Sequence, residues 1–164
     1  GWIDSYSEYA EEVRDWWDKF DPRWAGIRLE ALELLKKEQR LEQIVRLIGP
    51  DALPDTERLV LSVAEMIKNG FLQQNAFDEV DVYSVPEKQI LILQLMIGFY
   101  KRALGVIKQG CPLLKINTLT CKEEIIRIKT SVPNDKLEMI KEIENHFENE
   151  FGNLERLYRK VETI

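Results

Sequence analysis

Hydrophobic residues recur along most of the chain at steps of three, four or seven, the spacing that predicts amphipathic helices. No segment has the sustained alternation of apolar and polar residues that is typical of a strand. The clearest predicted helix starts at Asp21 and Pro22, a pair that is typical of helix starts. It ends at Gly49 and Pro50. The face that we expect to be buried consists of Ile27, Ala31, Leu34, Leu41, Val45 and Ile48.

Capping signals predict the starts of three further helices, because a hydroxyl oxygen can accept a hydrogen bond from a free backbone N–H of the first turn. The sequence SYSE at residues 5–8 predicts a helix that runs to about Phe20. The sequence SVPE at residues 84–87 predicts one that runs to about Gly110, and TCKE at residues 120–123 predicts a short one.

Apolar spacing alone predicts two more helices. One begins near Asp55 and ends at Asn69 and Gly70. The last follows the helix-breaking sequence SVPND, and its apolar residues run from Leu137 to Val161 at near-heptad spacing. Between residues 71 and 85 the period fails, so irregular backbone is predicted there.

Together these elements predict an all-α protein, a bundle of about five to six helices with a long C-terminal helix. An acidic helix–turn–helix tip is expected around residues 51–57. Residues 1–110 are expected to form the core of the domain, and residues 111–164 a helical extension packed on it within one domain.

Charge and composition narrow the function classes. The formal net charge is −6, with acids and bases mixed along the chain, so a nucleic-acid partner is not expected. The apolar run at residues 90–100 is shorter than the roughly 20 residues that a bilayer needs, so a buried helix is predicted rather than membrane insertion. Cys111 and Cys121 lack a metal-ligand spacing, and their number suits a reducing compartment better than a disulfide.

The inventory of catalytic residues is short. His146, the single histidine, is interpreted as an ordinary surface residue. The chain has no phosphate loop of the form G-x-x-x-x-G-K-[ST], and its paired acids, such as those at residues 123 and 124, suit helix starts. The chain is therefore not expected to be a complete enzyme by itself.

Two stretches leave alternatives open. The sequence FLQQNAFDEVD, from residue 71, combines two aromatics with amides, which suits a flat heterocycle. Alternatively, Phe71 and Phe77 anchor a loop to the core. The sequence GPDALPD, from Gly49, holds a stiff turn between two helices. This turn can cap a bundle or push on a partner.

A family resemblance bears on both stretches. The segments WIDSYSEY, EQIVRLIGPDALPDTERLVLSVAEMIKNGFLQQNAF and EVDVYSVPEKQILILQLMIGFY resemble the C-terminal helical domain of the catalytic A subunit of archaeal A-type and V-type rotary ATPases. The resemblance runs from about Trp2 to Gly110. It implies a parent that makes or hydrolyses ATP at an interface with a non-catalytic B subunit. The phosphate- and magnesium-binding residues would lie before Gly1, where we expect that the chain was cut from a longer one.

The resemblance also implies two sites. Phe77 would stack on the adenine of ATP or ADP, beside Gln74 and Ala76, in a half-pocket that binds weakly without the upstream nucleotide-binding domain. The turn would contact the central rotor stalk, through steric contact more than through charge because its acids are few. Its residues are Asp51, Ala52, Leu53, Pro54, Asp55, Thr56 and Glu57.

The implied mechanism is mechanical. A helix of about 20 Å would join the turn to the adenine segment, so that a rigid swing links rotor angle to closure of the nucleotide site. The complex would lie peripherally at the cytoplasmic face of the cell membrane and couple ATP chemistry to ion transport. The alternative is a free-standing helical scaffold or adaptor with no nucleotide role.

Overall fold

The computed structural model describes residues 23–73 and 85–159. Helix α1 spans Arg23–Ile48 and is followed by a single 3₁₀ turn, Pro50–Ala52. Helix α2 spans Asp55–Ile67 and continues directly into a π-helical turn, Lys68–Leu72. Two of the residues predicted to be irregular, Phe71 and Leu72, are therefore helical.

The remaining helices follow in the second described range. They are α3 (Pro86–Lys108), α4 (Leu113–Asn117), α5 (Thr120–Ile126), α6 (Ile128–Ser131) and α7 (Met139–Tyr158). Every regular element in residues 23–73 and 85–159 is helical, which confirms the predicted all-α class. The predicted helix from residue 5 to Phe20 lies outside the described residues.

Helix α3 is the centre of the core and packs against α1, α2 and α7. It is long and apolar enough to cross a bilayer by length and composition, but more than half of its most apolar window is buried inside the protein. The prediction that residues 90–100 form a buried helix is confirmed. Short helix α4 packs on α2, and α5 packs on α7.

Arg102 joins α3 to α7. Its guanidinium donates to Glu155 at 2.6 Å and to Glu148 at 2.9 Å. The same group lies 5.6 Å from the ring centre of Phe147 and 5.7 Å from that of Phe151. The long last helix is thus fixed to the core by charge, hydrogen bonds and ring contacts together.

One capping prediction is wrong in its chemistry, and the predicted cap of α3 by Ser84 lies outside the described residues. The residue before α3 is Val85, which makes no side-chain cap, and Pro86 starts the helix with its fixed φ. Leu119 precedes α5, and no side chain of the TCKE segment caps it. Instead Glu150 of α7 accepts the N–H groups of Thr120 at 3.0 Å and Cys121 at 2.7 Å.

Two predicted core positions also differ. Ile48 was expected to face inward, but it is 67% exposed at the end of α1. Leu137 was placed on the last helix, but it precedes α7, which begins at Met139. The other end of that predicted stripe, Val161, lies outside the described residues.

Candidate functional site

The chain reverses between α1 and α2 through a turn that is fixed by its backbone. Gly49 has a φ of +88°, a conformation that glycine adopts without steric cost. Its N–H donates to the carbonyl of Val45 at 2.8 Å, and the N–H of Leu53 donates to that of Pro50 at 3.2 Å. Pro54 precedes α2 and restricts the backbone further. The turn that was predicted between the two helices is present.

Side chains of the turn point in two directions. Asp51, Ala52 and Pro54 are exposed, whereas Leu53 is only 6% exposed and belongs to the core. Burial of Leu53 pins the middle of the turn to the domain and removes this side chain from any outer contact surface. Of the seven residues that the resemblance assigns to the rotor, the three exposed ones form the outermost set.

The three remaining residues of the predicted contact, Asp55, Thr56 and Glu57, are half-buried at the start of α2. Asp55 is used inside the protein, because one carboxylate oxygen accepts the N–H of Leu113 at 3.0 Å. Its other oxygen lies 3.8 Å from the guanidinium of Arg58. Asp51 is the only exposed acid within residues 51–57.

An apolar feature next to the turn was missed by the sequence reasoning. Ile44, Leu47 and Ile48, at the end of α1, are 39%, 84% and 67% exposed. Their spacing of three and four residues is the same as that of core positions, so the sequence pattern alone could not separate them from the core. The nearby Gly49 and Pro50 showed where the helix ends, but not that its last turn is exposed.

Helix α2 connects the turn to a second site of interest, the π-helical turn. With 13 residues, α2 is about 20 Å long. In the π-helical turn, Gly70 packs so closely that an added Cβ would lie 2.6 Å from the Met96 side chain and 3.0 Å from backbone atoms of Ile126. Phe71 is buried with its ring 6.4 Å from that of Trp24. Phe71 thus anchors the π-helical turn to the core.

Ionic and polar contacts also hold the π-helical turn. The Lys68 ammonium pairs with the buried carboxylate of Glu38 in α1. The Lys129 side chain donates to the carbonyl of Gln73 at 3.4 Å. Across the gap, the N–H of Val85 donates to the Asn134 side chain at 3.4 Å. Gln73 and Val85, which flank residues 74–84, are therefore both hydrogen-bonded to side chains within residues 129–134.

The predicted adenine-binding residues Gln74, Ala76 and Phe77 lie outside the described residues. Next to that segment, Lys88 is fully buried in α3, and its ammonium donates to the carbonyl of Lys129 at 2.9 Å. A buried lysine of this kind fixes local geometry, because leaving its hydrogen-bonding groups unsatisfied would cost free energy.

His146 is an exposed member of α7, which agrees with its interpretation as a surface residue. Its Nδ1 lies 2.9 Å from a carboxylate oxygen of Glu124 in α5. This hydrogen bond and the charge of Glu124 raise the pKa of His146 above its ordinary value. The pair links α5 to α7.

Both cysteines are buried and unbridged. Burial, together with the charge and hydrogen bond of Glu150, raises the pKa of the Cys121 thiol to about 12. Burial likewise raises the pKa of Cys111. Thiols with raised pKa values are poor nucleophiles. Within residues 23–73 and 85–159, no three or more His, Cys, Asp or Glu side chains are grouped to hold a metal.

Comparisons with known proteins identify the family of most of the chain. Residues 14–117 match the family described as the C-terminal domain of V and A type ATP synthase. The chain is 49% identical to the A subunit of the A-type ATP synthase of Pyrococcus abyssi over 129 residues, 78% of this chain and 13% of the relative.

Two other relatives cover more of the chain. The A subunit of the A-type ATP synthase of Thermococcus sibiricus is 42% identical over 160 residues, 97% of this chain and 26% of the relative. The V-type ATP synthase alpha chain of Halothermothrix orenii is 39% identical over 160 residues, 97% of this chain and 27% of the relative. The chain thus spans about a quarter or less of the length of these relatives.

Proposed function

The chain belongs to the family of C-terminal domains of V- and A-type ATP synthases, and from this premise we propose that it links a nucleotide site to a central rotor stalk. The parent is a catalytic subunit that makes or hydrolyses ATP together with a non-catalytic B subunit. The complex is a peripheral part of a membrane assembly on its cytoplasmic face and couples ATP chemistry to ion transport. The relatives' names, each of which specifies a chain of an ATP synthase, support this proposal over a free-standing adaptor.

In this proposal the domain is a rigid lever, and the observation that carries it is the bracing of α2. The helix is fixed at its start by the bond between Asp55 and Leu113 and along its length by the bond from Ser62 to Asn117, at 2.7 Å. At its far end, Lys68 pairs with Glu38. A short helix that is held at several points is expected to move as one body over its length of about 20 Å.

The two ends of the lever contact different partners, the rotor at one end and the nucleotide at the other. At the turn, Asp51, Ala52 and Pro54 face the rotor, while Leu53 anchors the turn inside the domain and Asp55 braces it. A single exposed acid favours steric contact over charge. Because the two ends move as one body, rotor angle and nucleotide closure change each other's free energy by equal amounts.

At the nucleotide end, Phe77 stacks on the adenine of ATP or ADP, with Gln74 and Ala76 beside it. The support comes from the residues on either side of this segment. It follows the π-helical turn, and Lys129 and Asn134 form hydrogen bonds with Gln73 before it and Val85 after it. Phosphate and magnesium are bound by the upstream nucleotide-binding domain. Alone, this half-pocket binds nucleotide weakly, because much of the affinity for a nucleotide comes from its phosphates.

A photo-crosslinking experiment tests the lever. Ala52→Cys is introduced into the full-length subunit, labelled with benzophenone maleimide and illuminated in the assembled complex. A crosslink to the rotor subunit is expected. Leu29→Cys is the control, because Leu29 is 54% exposed on α1 about 30 Å from the turn. Equal crosslinking from both positions, or none from Ala52→Cys in any nucleotide state, would overturn the proposal.

A further inference from the structure

The end of α1 presents three neighbouring large apolar side chains to solvent. Ile44, Leu47 and Ile48, called here the apolar stripe, lie within five residues, and Leu47 is the most exposed large apolar side chain among the described residues. Earlier in the same helix, Leu34 and Leu41 are buried. A contiguous exposed apolar patch of this kind is typical of an interaction surface.

The apolar stripe is held in place. Val45 packs against the core from the same helix end, and its carbonyl accepts the N–H of Gly49 at 2.8 Å. Leu53, buried a few residues later, fixes the chain beyond the stripe. A surface that is already ordered loses little conformational entropy when a partner binds.

The apolar stripe continues into a groove. Ile44 also lines a groove of about 520 Å³ between α1, α2 and α3. The apolar part of its lining consists of Leu41, Val60, Tyr100 and Leu104 besides Ile44. The charged part consists of three bases, Lys37, Arg40 and Lys108, and one acid, Glu57.

The charged lining of the groove is therefore net positive, whereas the whole chain has a net charge of −6. A partner that is complementary to the groove presents apolar side chains flanked by carboxylates. A groove between helices accommodates a helix, whose apolar residues at steps of three and four would contact the stripe.

We propose that the apolar stripe and this groove, rather than the acids of the turn, form the surface that holds the rotor, and that the rotor presents an amphipathic helix with acidic flanks. The inference rests on the proposed function, since it names the binding residues of the same contact. Two observations favour it over a charged tip. Asp55 already accepts a hydrogen bond from Leu113, and Asp51 is the single exposed acid in residues 51–57.

The test uses assembled catalytic and non-catalytic subunits without the rotor, to which purified rotor subunit is added. Leu47→Ser and Ile48→Ser are each expected to weaken rotor binding by about tenfold, because each removes a large apolar contact. The matched control, Leu29→Ser, replaces an exposed leucine of the same helix outside the stripe and leaves the affinity unchanged. Asp51→Asn, which removes the exposed acid of the turn, is expected to weaken rotor binding less than either stripe variant does.

Charge reversal in the groove is an independent arm. Lys108→Glu should weaken rotor binding more at low than at high salt, since ions screen the repulsion between like charges. Lys108 is exposed at the end of α3, so this variant does not disturb the core.

Crosslinking from Ala52→Cys separates the two levels of the proposal. If the crosslink to the rotor forms but Leu47→Ser, Ile48→Ser and Lys108→Glu bind the rotor as tightly as Leu29→Ser does, the inference is wrong and the lever stands. If Asp51→Asn lowers the affinity for the rotor more than the stripe variants do, the inference is likewise wrong and the lever stands. If no crosslink forms, the lever and the inference both fail.

Discussion

The carboxylate of Asp55, the first residue of α2, accepts the backbone N–H of Leu113, the first residue of α4, at 3.0 Å. The two residues are 58 positions apart in the chain. The five-residue helix α4 is thereby capped by the helix that follows the exposed turn. A second bond, from Ser62 to Asn117 at 2.7 Å, closes the other end of this contact.

Removing this carboxylate should destabilise the domain. We expect Asp55→Ala to lower the free energy of unfolding by about 1–2 kcal/mol, because the N–H of Leu113 then lacks its acceptor at a helix start. Asp55→Asn should cost less, since an amide oxygen still accepts the bond. Urea unfolding followed by circular dichroism measures both.

The control for this prediction is Asp51→Ala, which removes an exposed acid from the same turn. Its stability should match that of the unaltered chain within about 0.5 kcal/mol. Equal losses from Asp51→Ala and Asp55→Ala would mean that the negative charge of the turn, and not the bond to Leu113, is what matters.

Local sequence signals were enough to predict the stiff turn. Gly49 and Pro50 ended α1, and Asp55 marked the start of α2, as the structure has it. These features depend on neighbouring residues and on φ preferences that a sequence displays directly. The all-α class followed for the same reason, because helical periodicity is a local property.

Features that depend on distant residues were not predictable. The cap of α5 comes from Glu150, about 30 positions after the amides that it accepts. The same periodicity that places Leu41 in the core continues to Ile48, which is exposed at the end of α1. Apolar spacing defines a face of a helix, but it does not show how far the neighbouring helices extend along it.

Glu150 offers a second test of long-range capping. We expect Glu150→Ala to lower the free energy of unfolding by about 1–3 kcal/mol, because two amides at the start of α5 lose a charged acceptor. Asn149→Ala, at the exposed neighbouring position of α7, is the control. If urea unfolding showed equal stabilities for the two variants, α5 would not depend on this cap.

His146 predicts a dependence of stability on pH. The Glu124 carboxylate, together with the charges of Glu142 and Glu150, raises the pKa of His146 in the folded state. The folded state therefore binds this proton more tightly than the unfolded state does. The resulting stabilisation is fully present below the unfolded-state pKa of about 6.5. It is lost as the pH rises through the higher folded-state value.

Urea midpoints measured between about pH 5 and pH 9 should decline more steeply across this window for the unaltered chain than for His146→Gln. The substituted glutamine does not titrate, so the difference between the two curves isolates the histidine. Glu124→Gln should remove the same slope from the partner's side. Parallel curves for all three proteins would show that the contact contributes nothing to the linkage.

Gly70 should tolerate no side chain. A Cβ there would lie 3.0 Å from both the Cα and the carbonyl oxygen of Ile126, and backbone cannot swing aside as the Met96 side chain can. We expect Gly70→Ala to cost about 1–3 kcal/mol. Gly105→Ala is the matched control, because an added Cβ meets nothing within 4 Å there and helix α3 gains propensity of up to about 1 kcal/mol. Opposite signs of the two changes in unfolding free energy are the expected result.

The nucleotide end of the lever can be tested by comparing two aromatic residues of the same stretch, Phe71 and Phe77. In the full-length subunit, Phe77→Ala should weaken ATP binding by on the order of 1–3 kcal/mol, because stacking on the base is lost. Phe71→Leu changes a buried ring that packs near Trp24. It should therefore lower the melting temperature and leave the affinity nearly unchanged. Fluorescence titration with a labelled nucleotide measures the affinity of each variant. An unchanged affinity in Phe77→Ala would remove the adenine assignment, while the lever would still be tested independently at Ala52.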